Sequence, residues 1–197
     1  MCSSKYRLAV VLAALLLSSC AATYRPLVIN QKTGYYGSVT KVKSGVISQI
    51  DASFDLQQYR FVYLTVSSDY YIGRLDFMIR QVLFDLGLRY VVNQEELVLM
   101  IKDNEQLSSI GSVSDPLALS RLSEQVGPIL SVSFESLWVS SSGTATVTIT
   151  DLSSNKKLLS ANNSGLIWAD YASEILYPVF NAMKKWADDS MKGQVGI

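Results

Sequence analysis

Apolar and polar positions change period several times along this chain, and each change marks an element. Phe61-Val62-Tyr63-Leu64-Thr65-Val66 is a β-branched and aromatic run that predicts a buried strand. Ser67-Ser68-Asp69 then supplies capping side chains. Beyond them apolar residues recur at Ile72, Leu75, Met78-Ile79, Val82-Leu83 and Leu86, one helical face closed by Gly87. Val46 to Ile50, Tyr90-Val91-Val92 and Leu97-Val98-Leu99-Met100-Ile101 are shorter strand candidates. Asp115-Pro116 opens a second helix, with Asp as N-cap and Pro at the first position. Leu119, Leu122 and Val126 mark its inner face, and Gly127-Pro128 stops it.

The strongest signal follows. Ile129 to Val139 runs into the turn Ser140-Ser141-Ser142-Gly143, after which Ala145, Val147 and Ile149 alternate with Thr144, Thr146, Thr148 and Thr150. Period two puts one side of such a strand on a core and the other in water. Asp151 to Lys157 is a second polar turn before a strand reaching Trp168. Asp170 caps a last helix with Ile175-Leu176, Val179-Phe180, Met183 and Trp186-Ala187 inward, and Pro178 in its register predicts a kink or a displaced start. The order predicts an α+β fold, a mixed α/β sandwich with three helices on a largely mixed or antiparallel sheet of five to six strands. No internal repeat is visible. The compact domain is expected over residues 46–190, with 191–197 a disordered tail.

The N-terminus has a different pattern. Lys5 and Arg7 precede a ten-residue apolar run, Leu8 to Leu17, and the segment ends Leu17-Ser18-Ser19-Cys20. That run falls short of the roughly 18 residues of a membrane span and suits a secretory signal. Its end resembles a bacterial lipobox, which implies a signal peptide over residues 1–19, cleavage between Ser19 and Cys20, and acylation of Cys20. Ala21 rather than Asp follows the Cys, which by enterobacterial sorting logic directs the protein to the outer membrane, facing the periplasm. Residues 20–45 lack sustained periodicity, contain Pro26, Gly34, Gly37 and Gly45, and are expected to form a lipidated, flexible tether. Arg25, Lys32, Lys41 and Lys43 read as solvated linker charges, and Tyr24, Tyr35 and Tyr36 as residues of the lipid interface or of the domain surface.

Charge and composition sharpen this picture. The 197 residues carry 17 basic and 17 acidic side chains, no His and two Cys, with 49% hydrophobic residues. Cleavage before Cys20 would remove Lys5, Arg7 and Cys2, leaving 15 basic residues against all 17 acidic ones and no free thiol. The balance gives no electrostatic case for nucleic acid. The missing His removes the commonest general base and a favoured metal ligand.

Catalytic patterns are correspondingly thin. No glycine-rich phosphate loop occurs. Gly111-Ser112-Val113-Ser114-Asp115 lacks the second Gly of a hydrolase elbow, and no His could activate its Ser. Ser153 to Lys156 and Ser154 to Lys157 match Ser-x-x-Lys but fall in a turn, not at a helix start. Glu95-Glu96, Asp103/Glu105 and Asp188-Asp189 are the carboxylate pairs that acid/base or Ca²⁺ chemistry would need, without the spacing of a calcium loop. Tyr59, Tyr63, Tyr70 and Tyr71 could stack on cell-wall sugars or pack in the core. Asn162-Asn163-Ser164 is a glycosylation sequon, and Asp189-Ser190-Met191 resembles a bacterial O-glycosylation pattern. No catalytic residue, metal or cofactor is assigned.

A strand and amphipathic helix, then Gly127-Pro128 leading into a strand, then a hairpin reading TVTITDLSSNKKLLSANNSG, form a resemblance over roughly residues 52–190. The pattern resembles the small α/β domain shared by the N-terminal part of the Tol-system periplasmic protein, the curli-secretion lipoprotein and the penicillin-binding-protein activator lipoproteins. It also resembles a lipoprotein family without assigned function. The Trp frequent in that domain after the last hairpin turn is replaced by Leu158-Leu159, with Trp168 ten residues on. Lipobox, tether, compact domain and empty catalytic inventory together point to a non-enzymatic binding or assembly module of the cell envelope, held by acyl chains on Cys20, whose partner is another envelope protein or peptidoglycan. A subunit of a secretion or surface-appendage assembly is the first alternative. A small-ligand or cell-wall protein using a carboxylate pocket is the second.

Overall fold

The computed structural model describes residues 27–37, 41–51, 53–59, 61–69, 72–103, 113, 115–168 and 170–194. A six-stranded mixed sheet forms the centre, in the order β1-β6-β5-β4-β2-β3. The strands are β1 (Ile47–Ile50), β2 (Phe61–Ser68), β3 (Tyr90–Val92), β4 (Ile129–Val139), β5 (Ser142–Asp151) and β6 (Lys156–Leu166). β2 lies parallel to β3 and β4, and the remaining pairs are antiparallel. Among the described residues the helices are α1 (Ile72–Asp85), α2 (Gln94–Lys102), α3 (Pro116–Val126) and α4 (Tyr177–Gln194), the last entered through a π turn at Ala172–Leu176.

The α+β class is as expected, with one helix more. The fourth is α2, placed where Leu97 to Ile101 read as a strand. Its start explains the difference: the Asn93 side chain accepts from the Glu96 amide at 2.9 Å while Glu96 accepts from the Asn93 amide at 2.8 Å. This reciprocal cap fixes the first turn as helix. Leu97 and Ile101, four apart, are then buried, while Val98, Leu99 and Met100 are exposed.

α1 and α4 cover one side of the sheet. Leu75, Ile79, Val82 and Leu83 from α1 and Val179, Phe180, Met183 and Trp186 from α4 meet the inward residues of β2, β4, β5 and β6. The alternation in β5 is as the sequence predicts: Ala145, Val147 and Ile149 are inaccessible and the four Thr residues half-buried. A register shift at Ile149/Thr150 inserts one extra residue into β6, so that Leu158 and Leu159, neighbours in sequence, both enter the core. On the other side, α2 and α3 cover only the end built by Tyr63 and Ile129.

The expected caps form. Asp115 accepts from the Leu117 amide at 3.0 Å, and Gly87 and Gly127 end their helices at φ of 89° and 99°. Val126, expected on the inner face of α3, is exposed instead. Asp170 caps the last helical run as expected, accepting from the Ser173 amide at 3.0 Å, and Pro178 follows the π turn at Ala172–Leu176. The proline has no amide for the carbonyl four residues earlier, Glu174, and the Asn163 side chain fills that role, donating to Glu174 and Ile175 carbonyls at 2.9 and 3.1 Å.

Two segments expected to be mobile carry structure. Within the tether expected over 20–45, Ile29 bridges Tyr36 across a turn and Tyr36 is fully buried. The Tyr36 amide donates to Asn181 Oδ1 at 2.7 Å, Asn181 Nδ2 donates to the Tyr36 carbonyl at 3.1 Å, and the Tyr36 hydroxyl donates to Asp85 at 2.8 Å. A ring that fills the gap between α1 and α4 and satisfies its backbone on a buried amide belongs to the core. At the other terminus, α4 continues through Gln194 into the tail expected over 191–197, with Ser190 buried and bonded to the Ala187 carbonyl.

Candidate functional site

Ser19 and Cys20, with residues 1–26 as a whole, lie outside the described residues, as do Tyr70, Tyr71, Glu105, Gly111, Ser112 and Ser114. The other residues singled out by the sequence are spread over the domain, most of them engaged locally. Ser153 and Ser154 donate to Asp151 in the β5–β6 turn at 2.7 Å each, while Lys156 pairs with Asp51. The Lys156 ammonium and the Ser53 hydroxyl hold the Asp51 carboxyl down at about 2. Burial opposes ionisation of Asp151, and the hydroxyls of Ser154 and Ser153 outweigh it, so its pKa is lowered. The Ser-x-x-Lys pattern is thus a turn whose hydroxyls serve a carboxylate.

Of the carboxylate pairs, Glu96, Asp188 and Asp189 are engaged with cations, and the pairs do not converge. Glu96 caps α2 and takes Arg80 at 2.9 Å, while Arg80 also holds Asp76 at 2.8 Å. Burial raises the pKa of Glu96, but the Asn93 amide and Arg80 together bring it below the usual range. Asp188 and Asp189 pair with Lys184 and Lys185 one turn earlier, and Asp103 is the C-cap of α2. Among the described residues, no three His, Cys, Asp or Glu side chains cluster as a metal site would require. Tyr59 and Tyr63 are core residues, and burial pushes the Tyr59 hydroxyl up to about 12. Asn162 bonds Thr146, and Ser190 of the second glycosylation pattern is inaccessible.

Two surfaces stand out that the sequence reading missed. The first is the tip of the β4–β5 hairpin with the end of β6. Outward positions of β4 are polar at Ser131, Ser133 and Glu135, then turn apolar at Leu137 and Val139. With Leu166 opposite Ser142 they form an apolar patch beside a shallow depression of about 310 Å³. Leu137, Val139 and Leu166 are each more than half exposed, and Trp168 is 84% exposed. Beneath them the tip is held by aromatic and hydrogen-bond contacts. Trp138 stacks on Tyr171 with ring centroids 5.4 Å apart and donates to the Ser140 carbonyl at 2.7 Å, and its amide reaches Asp69 at 3.0 Å. A Cβ at Gly143 would stand 2.6 Å from the Tyr171 ring, so glycine alone admits this approach. The signal in the sequence was the break of polarity in the outward register of β4.

The second surface is a groove of about 820 Å³ between α1 and α2, floored by β2 at Leu64 to Val66. It exists because β3 is short: it pairs with β2 only at Phe61 to Tyr63, while β2 continues to Ser68. Among the described residues no helix is long and apolar enough to cross a membrane.

Comparison with known proteins found no matching family model and no matching curated relative. Solved structures do match. The C-terminal domain of LpoB from Salmonella enterica is 15% identical, with 55% of this chain and 84% of that one covered, at a TM-score of 0.37. The PelC dodecamer from Paraburkholderia phytofirmans gives 13% identity, coverage of 73% and 98%, and a TM-score of 0.41. A lipoprotein from Neisseria meningitidis gives 15%, 66% and 98%, and 0.39. At these scores the likeness transfers no residue role and no activity.

Proposed function

We propose that this protein is a lipid-anchored envelope lipoprotein whose α+β domain is a non-enzymatic binding module. The observation that carries this reading is the exposed apolar tip formed by Leu137, Val139 and Leu166 at the uncovered end of the outer sheet face. An apolar surface rimmed by Ser and Thr suits contact with another protein. The sequence supports the anchor: a short apolar run ending in Ser19-Cys20, with Ala21 favouring the outer membrane and a periplasmic orientation. If Cys20 is the acylated first residue, residues 20–26 span at most about 25 Å before Leu27. The domain would then stay near the membrane, at high effective concentration for neighbouring envelope proteins or peptidoglycan.

Two measurements test this. Cys20→Ser should shift the protein from the membrane to the soluble fraction; unchanged sedimentation with membranes removes the anchor. A photocrosslinking side chain at Val139 should capture a discrete envelope component, while one at Thr148 on the polar face captures none. Equal capture at both positions removes the tip as the binding surface.

A further inference from the structure

The groove beside β2 has the features of a strand-acceptor site. Leu64 to Ser67 pair with β4 on one side and, among the described residues, with no strand on the other. Alternate backbone N–H and C=O groups along this stretch therefore face the groove, as they do along any sheet edge. Proteins usually blunt such edges with charge, Pro, a bulge or extreme shortness. The opposite edge of this sheet does so: β1 has four residues and its register shifts between Ile47 and Gln49. β2 carries no charge, Pro or bulge here, and its open stretch matches β1 in length. Leu64-Thr65-Val66-Ser67 is uncharged and keeps its register with β4.

The walls specify what would fit. Val98 and Leu99 of α2, 47% and 59% exposed, line the groove with apolar surface. Asp76 and Glu95 supply carboxylates, and among the described lining residues there is no Lys or Arg. Arg80 binds Asp76 and Glu96, which leaves the rim acidic. An added strand would present alternate side chains to the α2 wall, with Val98 and Leu99 and Glu95 at its start, and the others to the α1 wall, with Asp76.

We propose that the open edge of β2 at Leu64–Ser67 accepts an extended segment of a partner protein, alternating apolar and basic side chains, as an additional strand of the sheet. The inference is independent of the lipid anchor and of the hairpin tip. The test uses the full chain in a neutral detergent and three capped nine-residue peptides: one alternating Val and Lys, one alternating Val and Glu, and the Val/Lys peptide N-methylated at every second amide.

The Val/Lys peptide should bind by anisotropy and slow hydrogen exchange at least tenfold at alternate amides of Leu64–Ser67, leaving the hairpin tip unchanged. The Val/Glu and N-methylated peptides should bind at least tenfold more weakly. The exposed-site variant Glu95→Lys with Val98→Lys should reverse the charge preference while the far-ultraviolet spectrum is unchanged. No binding of the Val/Lys peptide, binding without protection at Leu64–Ser67, or equal binding of the N-methylated peptide overturns the proposal. Protection that rises with protein concentration and no peptide overturns it in favour of a second copy as occupant.

Discussion

The two faces of the sheet are built from the same strands in alternation, yet they are finished differently. The inner face, under α1 and α4, presents Val62, Leu64, Val132, Phe134, Val147 and Ile149, none more than 2% exposed. The outer face presents Thr65, Ser133, Thr146 and Thr148 on the same strands and is covered by α2 and α3 only at one end. Burial of apolar area stabilises a fold in proportion to what leaves water. The inner face therefore supplies most of that term, and the outer face is left free to present surfaces. Both surfaces described above, the hairpin tip and the β2 groove, lie where the cover of α2 and α3 ends.

This contrast can be broken most severely from the inner side. Trp186 is fully buried, stacks on Phe54 at 5.0 Å and donates to the Asp51 carbonyl at 3.2 Å. Trp186→Ala should cost about 3–5 kcal/mol, visible in urea unfolding as a lower midpoint at similar slope. Next comes the clasp. Asn181→Leu leaves the buried amide and carbonyl of Tyr36 without partners, at about 1–3 kcal/mol. Limited proteolysis should then cut within residues 27–37 before the rest of the domain opens.

Smaller effects probe the rim and the outer face. The folded-state pKa of Asp51 lies below its ordinary value, so its pairing stabilises the fold above about pH 4, and that contribution fades as pH falls towards 2. The pair is largely solvated, so the acid-dependent loss is about 0.2–1 kcal/mol and should shrink in Lys156→Met to the part that the Ser53 hydroxyl and amide still supply. Last, Thr148→Val on the outer face should move stability by no more than about 0.5 kcal/mol. Its inner neighbour Val147→Thr buries a hydroxyl and should cost about 1–3 kcal/mol. Thermal melts of the two variants measure the contrast directly.

Local pattern made much of the inner face legible. The Thr alternation of β5, the repeat of α1 and the Asp115-Pro116 start each depend on neighbours in sequence. α2 was misread because five apolar residues fit strand and helix equally, and the deciding signal was the Asn93…Glu96 cap before them. The Tyr36 clasp was illegible for another reason: its partners lie 49 and 145 residues away. The β2 groove likewise follows from which strands become neighbours. The shortness of β3 could be read, but not that it would leave the edge of β2 uncovered.

The clasp also has a mechanical meaning. Ile29 to Tyr36 fold back as a small loop, so tension applied upstream of Leu27 reaches the domain first at this loop and its bonds to Asn181 and Asp85. The load passes into two helices, not into the sheet. A pull on the N-terminus would peel the clasp before it disturbed a single strand pair, so the clasp acts as the molecule's mechanical fuse.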